Sequence, residues 1–213
     1  MTRAEVLDRY RQLRAISARH HSAALKFVSR QAVLEQARRF GLAQGQMLVA
    51  ESEEEMTLVF DLALYTAREG RSRALDRYAR AAQLPPGSDE ALVLEAMRHA
   101  RFSVRRIEHR HETAGLVVTD VVREAQDWLV DEKLEASAPE DMAFAGRLCR
   151  PADFAMTCGV IVPVDRDLIK EVTLDTFAWR RGDPEHVAED PRSATAIYRA
   201  AIESGLMDRL AYE

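Results

Sequence analysis

The fold of this chain is decided where the sequence reads FSVRRIEHRH, from Phe102 to His111. Apolar and polar residues begin to alternate in this stretch, which is the period of a half-buried β-strand. The hundred or so residues before it carry apolar side chains at helical spacing instead. The change of period predicts an α+β protein in which a helical N-terminal half packs on a small sheet. No sequence pattern of similar strength indicates that the protein catalyses a reaction.

Helix start signals are clear in the N-terminal half. Thr2 with Glu5 forms a predicted capping box that begins a helix running to about Arg19. Ser52 with Glu55 forms a second box, and the helix that follows is apolar nearly all round, which indicates a central, buried position. Other helices are expected over residues 22–40 with a break near Ser29, over residues 71–84, from Ser88 onward, and from Asp190 to Gly205.

Five short segments rich in Val, Leu and aromatic residues follow, and polar turns separate them. They cover residues 102–111, 115–122, 127–132, 142–149 and 154–164. Each lies within hairpin distance of the one before it, so the sequence predicts an antiparallel meander of about five strands that can curl into a partial barrel. The expected fold is therefore a helical N-terminal half on a five-stranded antiparallel sheet or partial barrel, with a C-terminal helix.

Charge is spread unevenly along the chain. The formal net charge of the 213 residues is −5, but residues 1–50 carry nine basic residues against three acidic ones, a balance of +6 that leaves −11 for the rest. We therefore divide the chain into a basic helical arm (1–50), an α+β core (51–165) and a C-terminal extension (166–213). The asymmetry indicates that the arm's partner is the acidic remainder of the same chain, a second copy, or an anionic ligand.

Several classes of protein are disfavoured by what the sequence lacks. It contains no apolar stretch approaching 18 residues and no signal peptide, so we expect a cytoplasmic protein of bacterial type without a membrane span. The two cysteines, Cys149 and Cys158, are too few for a disulfide framework and are expected to be small buried apolar residues. Without a phosphate-binding glycine loop or a nucleophile motif, no cofactor is expected.

Scattered short motifs resemble a group of uncharacterised bacterial proteins. They include the apolar helix with Asp61 and Tyr65, then Gly70, Arg77-Tyr78, PGSDE at 86–90, ARFSV at 100–104, GLVVTD at 115–120, LVDE at 129–132, GRL at 146–148 and MTCG at 156–159. The resemblance covers roughly residues 45–165. It implies a single integrated α+β unit, and it implies no activity and no catalytic residue.

Asp61 is the most interesting carboxylate, because it has apolar neighbours in a helix that is expected to be buried. Burial would raise its pKa and a guanidinium partner would lower it, so Asp61 is either a general acid or half of a structural ion pair. Arginines 68, 71, 73 and 77 follow closely and favour the structural pair. Tyr65 and Arg77 are the neighbouring candidates for contact with a ligand.

His109 and His111 stand two apart on a predicted strand, so both would face the same side and could offer two imidazoles to one metal ion. Glu112 or Asp120 would be the third ligand. Charged neighbours such as Arg105 and Arg106 favour a solvated strand end instead. We therefore expect no metal at this pair.

Residues 33–52 can be compared with a helix-turn-helix, in which Arg38 and Arg39 would meet DNA phosphates. Residues 43–52, the expected recognition helix, contain no Lys or Arg and run into a cluster of glutamates. Those carboxylates would face the DNA backbone with the wrong sign, so nucleic-acid binding is disfavoured.

The leading hypothesis is a non-enzymatic binding or regulatory module that self-associates and takes an unidentified protein or small-molecule ligand at the seam between helices and sheet. The first alternative is a metal-dependent enzyme that uses Asp61 with His109 or His111. The second is a nucleic-acid-binding regulator that uses the basic N-terminal helices. No residue is assigned a catalytic role beyond the candidate Asp61.

Overall fold

A computed structural model describes residues 1–50, 52–68, 70–165 and 191–204. Its helices are α1 (Arg3–Leu25), α2 (Arg30–Arg39), α3 (Glu53–Tyr65), α4 (Ala74–Ala81), α5 (Asp89–Arg98), α6 (Glu132–Ser137) and α7 (Pro191–Glu203). A small hairpin consists of β1 (Ala43–Gln44) and β2 (Met47–Leu48). The main sheet consists of β3 (Arg101–Arg110), β4 (Leu116–Asp120), β5 (Ala125–Leu129), β6 (Ala143–Cys149) and β7 (Met156–Val164). The predicted α+β class is confirmed.

The helices begin where the capping residues predict. Both capping boxes form, with the Thr2 hydroxyl accepting from the amide of Glu5 and the Ser52 hydroxyl from that of Glu55. Ser29 caps α2, which confirms the expected break in the second helical region. α1 continues beyond Arg19 to Leu25, because no glycine or proline interrupts it and Ala23, Ala24 and Leu25 are good helix formers. Asp190, the predicted cap of α7, lies outside the described residues.

The order of the strands in the sheet is β5-β4-β3-β6-β7, with every neighbouring pair antiparallel. β3 therefore lies at the centre, whereas a meander would have paired β5 with β6. The meander was wrong because the segment 127–132 is not all strand: Asp131 caps α6, which carries the chain across to the far side of β3.

The sheet curls until its two edges meet at one corner. The amide of Val130, just after β5, donates to the carbonyl of Ala155 at 2.8 Å, and the amide of Ala155 donates to the carbonyl of Trp128 at 2.7 Å. These bonds form an isolated parallel bridge between Leu129 and Ala155. The sheet is thus a partial barrel that is closed at this corner alone among the described residues.

α3 contacts both the sheet and several of the other helices. Leu58 and Leu62 are fully buried with Phe102 and Val104 of β3, while Leu64 joins a second cluster with α1 and α5. Its predicted burial is confirmed for these residues. Phe60 is the exception, with 37% of its surface exposed.

Both ends of the described chain contribute to this interior. α1 buries Val6, Leu13 and Ile16 in the cluster that also holds Met97 and Phe154. α7 packs against the cluster around Leu58 and Leu62. Its buried residues in this cluster include Ala194, Ile197, Tyr198 and Ala201.

Candidate functional site

Asp61 is half of a buried ion pair. Its side chain is 2% exposed and accepts a hydrogen bond from the guanidinium of Arg147, which lies in β6 and is 5% exposed. The hydroxyl of Tyr198 donates to the same carboxylate at 3.0 Å, and the amide of Val160 does so at 3.2 Å. The sequence-based expectation of an arginine at 68, 71, 73 or 77 was wrong, because α3 ends at Tyr65 and those residues follow the turn.

The guanidinium of Arg147 lies between two aromatic rings. Its central carbon is 4.6 Å from the ring centre of Tyr65 and 5.3 Å from that of Phe102. Burial by itself would lower the pKa of Arg147, but the charge and hydrogen bond of Asp61, together with Tyr198 and Tyr65, outweigh burial and raise the pKa above its usual value. Both members of the pair are buried and hydrogen-bonded within the fold, which is the arrangement of a structural ion pair.

Gly159 makes room for this carboxylate. It has a φ of +92°, and a Cβ atom there would lie 2.2 Å from Oδ1 of Asp61. The register of β6 with β7 shifts at this point, between Gly146 and Leu148. Because the strand bulges, the amide of Val160 turns toward Asp61 and donates to it.

A chain of polar groups continues from this pair through the interior. Nε2 of His21 lies 2.7 Å from the hydroxyl of Tyr65, which in turn lies 2.9 Å from the sulfur of Cys158. Burial by itself would raise the pKa of the Cys158 thiol, but hydrogen bonds with Cys149, His21 and Tyr65 outweigh it and lower the pKa to about 5. Cys158 is fully buried, so its sulfur has no surface on which a substrate could lie.

The two histidines of the predicted strand end do not meet Asp61. His109 is exposed and its Nδ1 lies 2.9 Å from the carbonyl oxygen of Arg110. The ring of His111 stacks on Trp128, with ring centres 4.3 Å apart. Among the described residues, no group of three His, Cys, Asp or Glu side chains is placed to hold a metal ion.

The basic N-terminal helix is paired with acidic residues of the same chain. Its arginines meet carboxylates of α5 and α6: Arg3 with Glu135 at 2.8 Å, Arg9 with Asp89 at 2.6 Å, Arg11 with Glu132 at 2.7 Å and Arg19 with Glu90 at 3.4 Å. The sequence left three partners open for the basic helix: the acidic part of the same chain, a second copy or an anionic ligand. The structure shows ion pairs with the acidic part of the same chain.

The other candidate arginines bond mainly to nearby groups. Arg38 donates to the carbonyl of Gly45 at 2.8 Å, Arg39 pairs with Glu35 at 3.5 Å, and Arg77 donates to the carbonyl of Phe27 at 2.6 Å. Residues 43–48, compared above with the start of a recognition helix, form the β1–β2 hairpin instead.

A cavity of about 550 Å³ lies between α5 and the sheet. The sequence does not indicate this cavity, because its lining residues come from five separate elements and the three connections α5–β3, β4–β5 and β6–β7. Its charged lining residues are Arg101, Arg105, Arg123, Arg150, Glu95, Asp120 and Asp127, with His99 beside them, and its other lining residues are Leu92, Ala96, Ala125, Leu148, Cys149, Pro151 and Ala155.

Arg105 and Asp120 are buried charged residues of this cavity, and Arg105 is held by few partners. The side chain of Arg105 is 5% exposed, Nη1 donates to the carbonyl of Gly146 at 3.0 Å, and Nη2 is 3.7 Å from the carboxylate of Asp120. Nε has no hydrogen-bond partner among the described residues. Burial lowers the pKa of Arg105. The expectation that Arg105 and Arg106 are both solvated was wrong for Arg105, because successive residues of a strand point to opposite faces.

Asp120 does not fully compensate Arg105. Its Oδ1 accepts from the hydroxyl of Ser103 at 2.8 Å and from the amides of Val122 and Arg123 at 3.0 Å each. Its Oδ2 accepts from the guanidinium of Arg123 at 3.1 Å. Most of the hydrogen bonds that the Asp120 carboxylate accepts therefore stabilise the β4–β5 turn.

No helix of the described residues is long and apolar enough to cross a membrane. Comparison of the chain with curated proteins and with solved structures finds no match. Residues 4–178 match the family of unknown function DUF7986, and this span includes α1 to α6 and the whole sheet. The predicted resemblance to uncharacterised proteins is confirmed, and the chain belongs to the DUF7986 family of unknown function.

Proposed function

We propose that this protein is a binding module that takes a small-molecule ligand in the cavity between α5 and the sheet. The observation that carries the proposal is the cavity itself, about 550 Å³ in volume, whose wall joins an apolar surface to the charged side chain of Arg105. A concave site of a few hundred Å³ with a few polar groups is the usual form of a small-molecule site.

The charges of the cavity wall support a ligand. Four arginines line the cavity beside three carboxylates, so the wall favours a ligand with an electron-rich group.

Binding is favoured over catalysis by the state of the one thiol in the cavity wall. The hydrogen bond to Cys158, together with burial, raises the pKa of Cys149. A protonated thiol is a poor nucleophile. The buried Asp61–Arg147 pair, where the metal-dependent alternative placed its acid, has its charges satisfied within the fold.

Binding of 8-anilinonaphthalene-1-sulfonate, whose fluorescence rises in apolar surroundings, tests this proposal. We expect saturable binding to the native protein that Ala96→Leu weakens at least tenfold, since Ala96 lines the cavity. The matched control is Ala91→Leu, the same change in the same helix at a residue outside the cavity wall. Equal affinity of Ala96→Leu, Ala91→Leu and the unchanged protein would contradict the proposal.

We also propose that the protein self-associates through the β1–β2 hairpin. Met47 and Leu48 are 69% and 40% exposed, and with Val33 and Leu34 they line a groove of about 300 Å³ against α2. Light scattering over a wide concentration range should show an oligomer that Met47→Lys dissociates and Val121→Lys, at another exposed apolar residue, does not. A monomer at all concentrations would contradict this proposal.

A further inference from the structure

We infer that two copies of this chain associate about a twofold axis at the β1–β2 hairpin, so that Arg30 and Arg38 of each copy lie against the acidic start of α3 in the other. This inference rests on the proposed self-association and adds the direction in which the two copies face each other. In a twofold dimer the same patch meets itself in the reverse direction, so the patch has to complement its own reversed copy.

The turn of the hairpin is the basic end of this patch. Arg30 donates to the carbonyl of Gln46 at 3.3 Å, and Arg38 donates to that of Gly45 at 2.8 Å. Both arginines are exposed, and neither pairs with a carboxylate among the described residues. Neutral carbonyls therefore hold two positive charges beside the turn.

The other end of the hairpin leads into the acidic start of α3. The amide of Val49 donates to the carbonyl of Leu42 at 3.0 Å, which closes the hairpin at the end opposite the turn. The chain then enters α3, whose first residues, Glu53 and Glu54, are exposed. Within the part of the chain that the structure describes, neither glutamate pairs with a basic side chain.

The middle of the patch is apolar. Met47 and Leu48 are exposed, and they line the groove together with Val33 and Leu34 of α2. Contact with a second copy would remove this apolar surface from water, and the gain in affinity is proportional to the area removed. The apolar middle therefore supplies most of the affinity of the dimer.

The order basic, apolar, acidic along the patch makes it self-complementary. When the twofold axis passes through the apolar middle, the basic end of each copy lies against the acidic end of the other. A parallel arrangement would instead bring like charges together at both ends, which is costly. Exposed ion pairs add little affinity one by one, so their main effect is to select the direction of the second copy.

Sedimentation equilibrium on two charge-reversed proteins tests this arrangement. The first protein carries Arg30→Glu with Arg38→Glu, and the second carries Glu53→Arg with Glu54→Arg. Each variant alone would bring like charges together at both ends of a twofold dimer, whereas in a mixed dimer every contact again joins opposite charges. We expect each variant alone to dimerise at least tenfold more weakly than the unchanged protein, and an equimolar mixture to regain most of that loss.

The control is Arg106→Glu with Arg110→Glu, the same change of charge at two exposed arginines of β3, and its dimer should match that of the unchanged protein. The capping box of Ser52 and Glu55 is kept in every variant, and circular dichroism shows whether each one folds. A second measurement needs no variant: added sodium chloride screens the pairs between copies and should weaken the dimer of the unchanged protein.

The outcomes separate this inference from the proposed self-association. Dissociation by Met47→Lys without any effect of the charge reversals would overturn the twofold arrangement and leave the hairpin as the interface. A mixture that associates no more tightly than its two components, or an assembly larger than a dimer, would also overturn it. A monomer at all concentrations would overturn both proposals.

Discussion

At the scale of single residues, Asp61 receives hydrogen bonds from three elements at once: Arg147 in β6, the amide of Val160 in β7 and Tyr198 in α7. Such a pair adds less to stability than its hydrogen bonds suggest, because both charges had to leave water. Removal of one partner is far more costly, since the other charge then stays buried alone.

Asp61→Asn should therefore destabilise the protein by about 3–5 kcal/mol, the usual cost of breaking a buried ion pair from one side. Urea unfolding followed by circular dichroism measures the change. Asp8→Asn is the control, because the pair of Asp8 with Arg11 is exposed and its loss should leave stability nearly unchanged. A similar effect of both substitutions would contradict the description of Asp61–Arg147 as a buried ion pair.

Gly159→Ala should be clearly more destabilising than Gly41→Ala. Both glycines have positive φ, +92° and +76°, so each variant carries a backbone penalty of about 1–2 kcal/mol. Nothing lies within 4 Å of the Cβ position at Gly41, whereas Oδ1 of Asp61 lies at 2.2 Å from that position at Gly159. We expect an additional loss of about 1–3 kcal/mol at Gly159 from overpacking, measured by urea unfolding. Equal losses would argue against the close approach of Asp61 to β7.

The candidate site could be predicted from sequence only in part. An aspartate inside an apolar helix indicates a buried carboxylate, so Asp61 could be found. Arg147 could not, because a local pattern does not show which strand will cross a helix 86 residues earlier. Arg105 was missed for a related reason: Arg105 and Arg106 look alike in sequence, and only the pairing of β3 with β4 and β6 shows which of them is buried.

At the scale of elements, His20 joins three helices. It lies in α1, its Nδ1 is 2.8 Å from the hydroxyl of Tyr78 in α4, and its Nε2 is 2.9 Å from the carbonyl oxygen of Glu90 in α5. Burial lowers the pKa of His20 below its ordinary value of 6.5. His20 is therefore neutral when it packs between α1, α4 and α5.

The stability that His20 contributes should depend on pH. Because its folded pKa is below the unfolded one, the unfolded chain binds more protons between the two values, and stability is lost as the pH falls below about 6.5. Urea unfolding at pH 7.5, 6.5 and 5.5 should show that the unchanged protein loses more stability on acidification than His20→Gln does. A difference between the two proteins that is independent of pH would contradict this role.

Elements defined by local signals could be predicted from sequence, and their pairing could not. Ser29, Ser52 and Ser88 mark helix starts because a cap acts on residues three positions away. α6 was missed although Asp131 precedes two acidic residues in its first turn, a signal that the neighbouring strand pattern concealed. Once α6 is present, β6 can reach β3, and this long-range choice is not visible in any one segment.

At the scale of the whole molecule, the N-terminal helix is packed into the same interior as the sheet. Leu13 and Ile16 of α1 share a cluster with Phe154 and Met156, and four of its arginines pair with carboxylates of α5 and α6. A helix with this much shared interior is expected to unfold together with the rest of the protein.

Circular dichroism at 222 nm and the fluorescence of Trp128 should therefore report one coincident transition in urea. The measurement uses a Trp179→Phe background so that Trp128 is the only fluorescent tryptophan. Leu13→Ala, at a fully buried residue, should shift both signals equally and lower stability by about 2–5 kcal/mol. Loss of helical signal before the change in Trp128 fluorescence would show that α1 unfolds separately.

The hydroxyl of Tyr198 reaches back 137 residues to Asp61. A ribosome synthesises the chain from its N-terminus, so α3 and the strands β1 to β7 are made before this hydroxyl exists. A nascent chain that ends before Tyr198 can offer this carboxylate at most two of its three donors. The packing of α7 on α3 can therefore form only after α7 has left the ribosome.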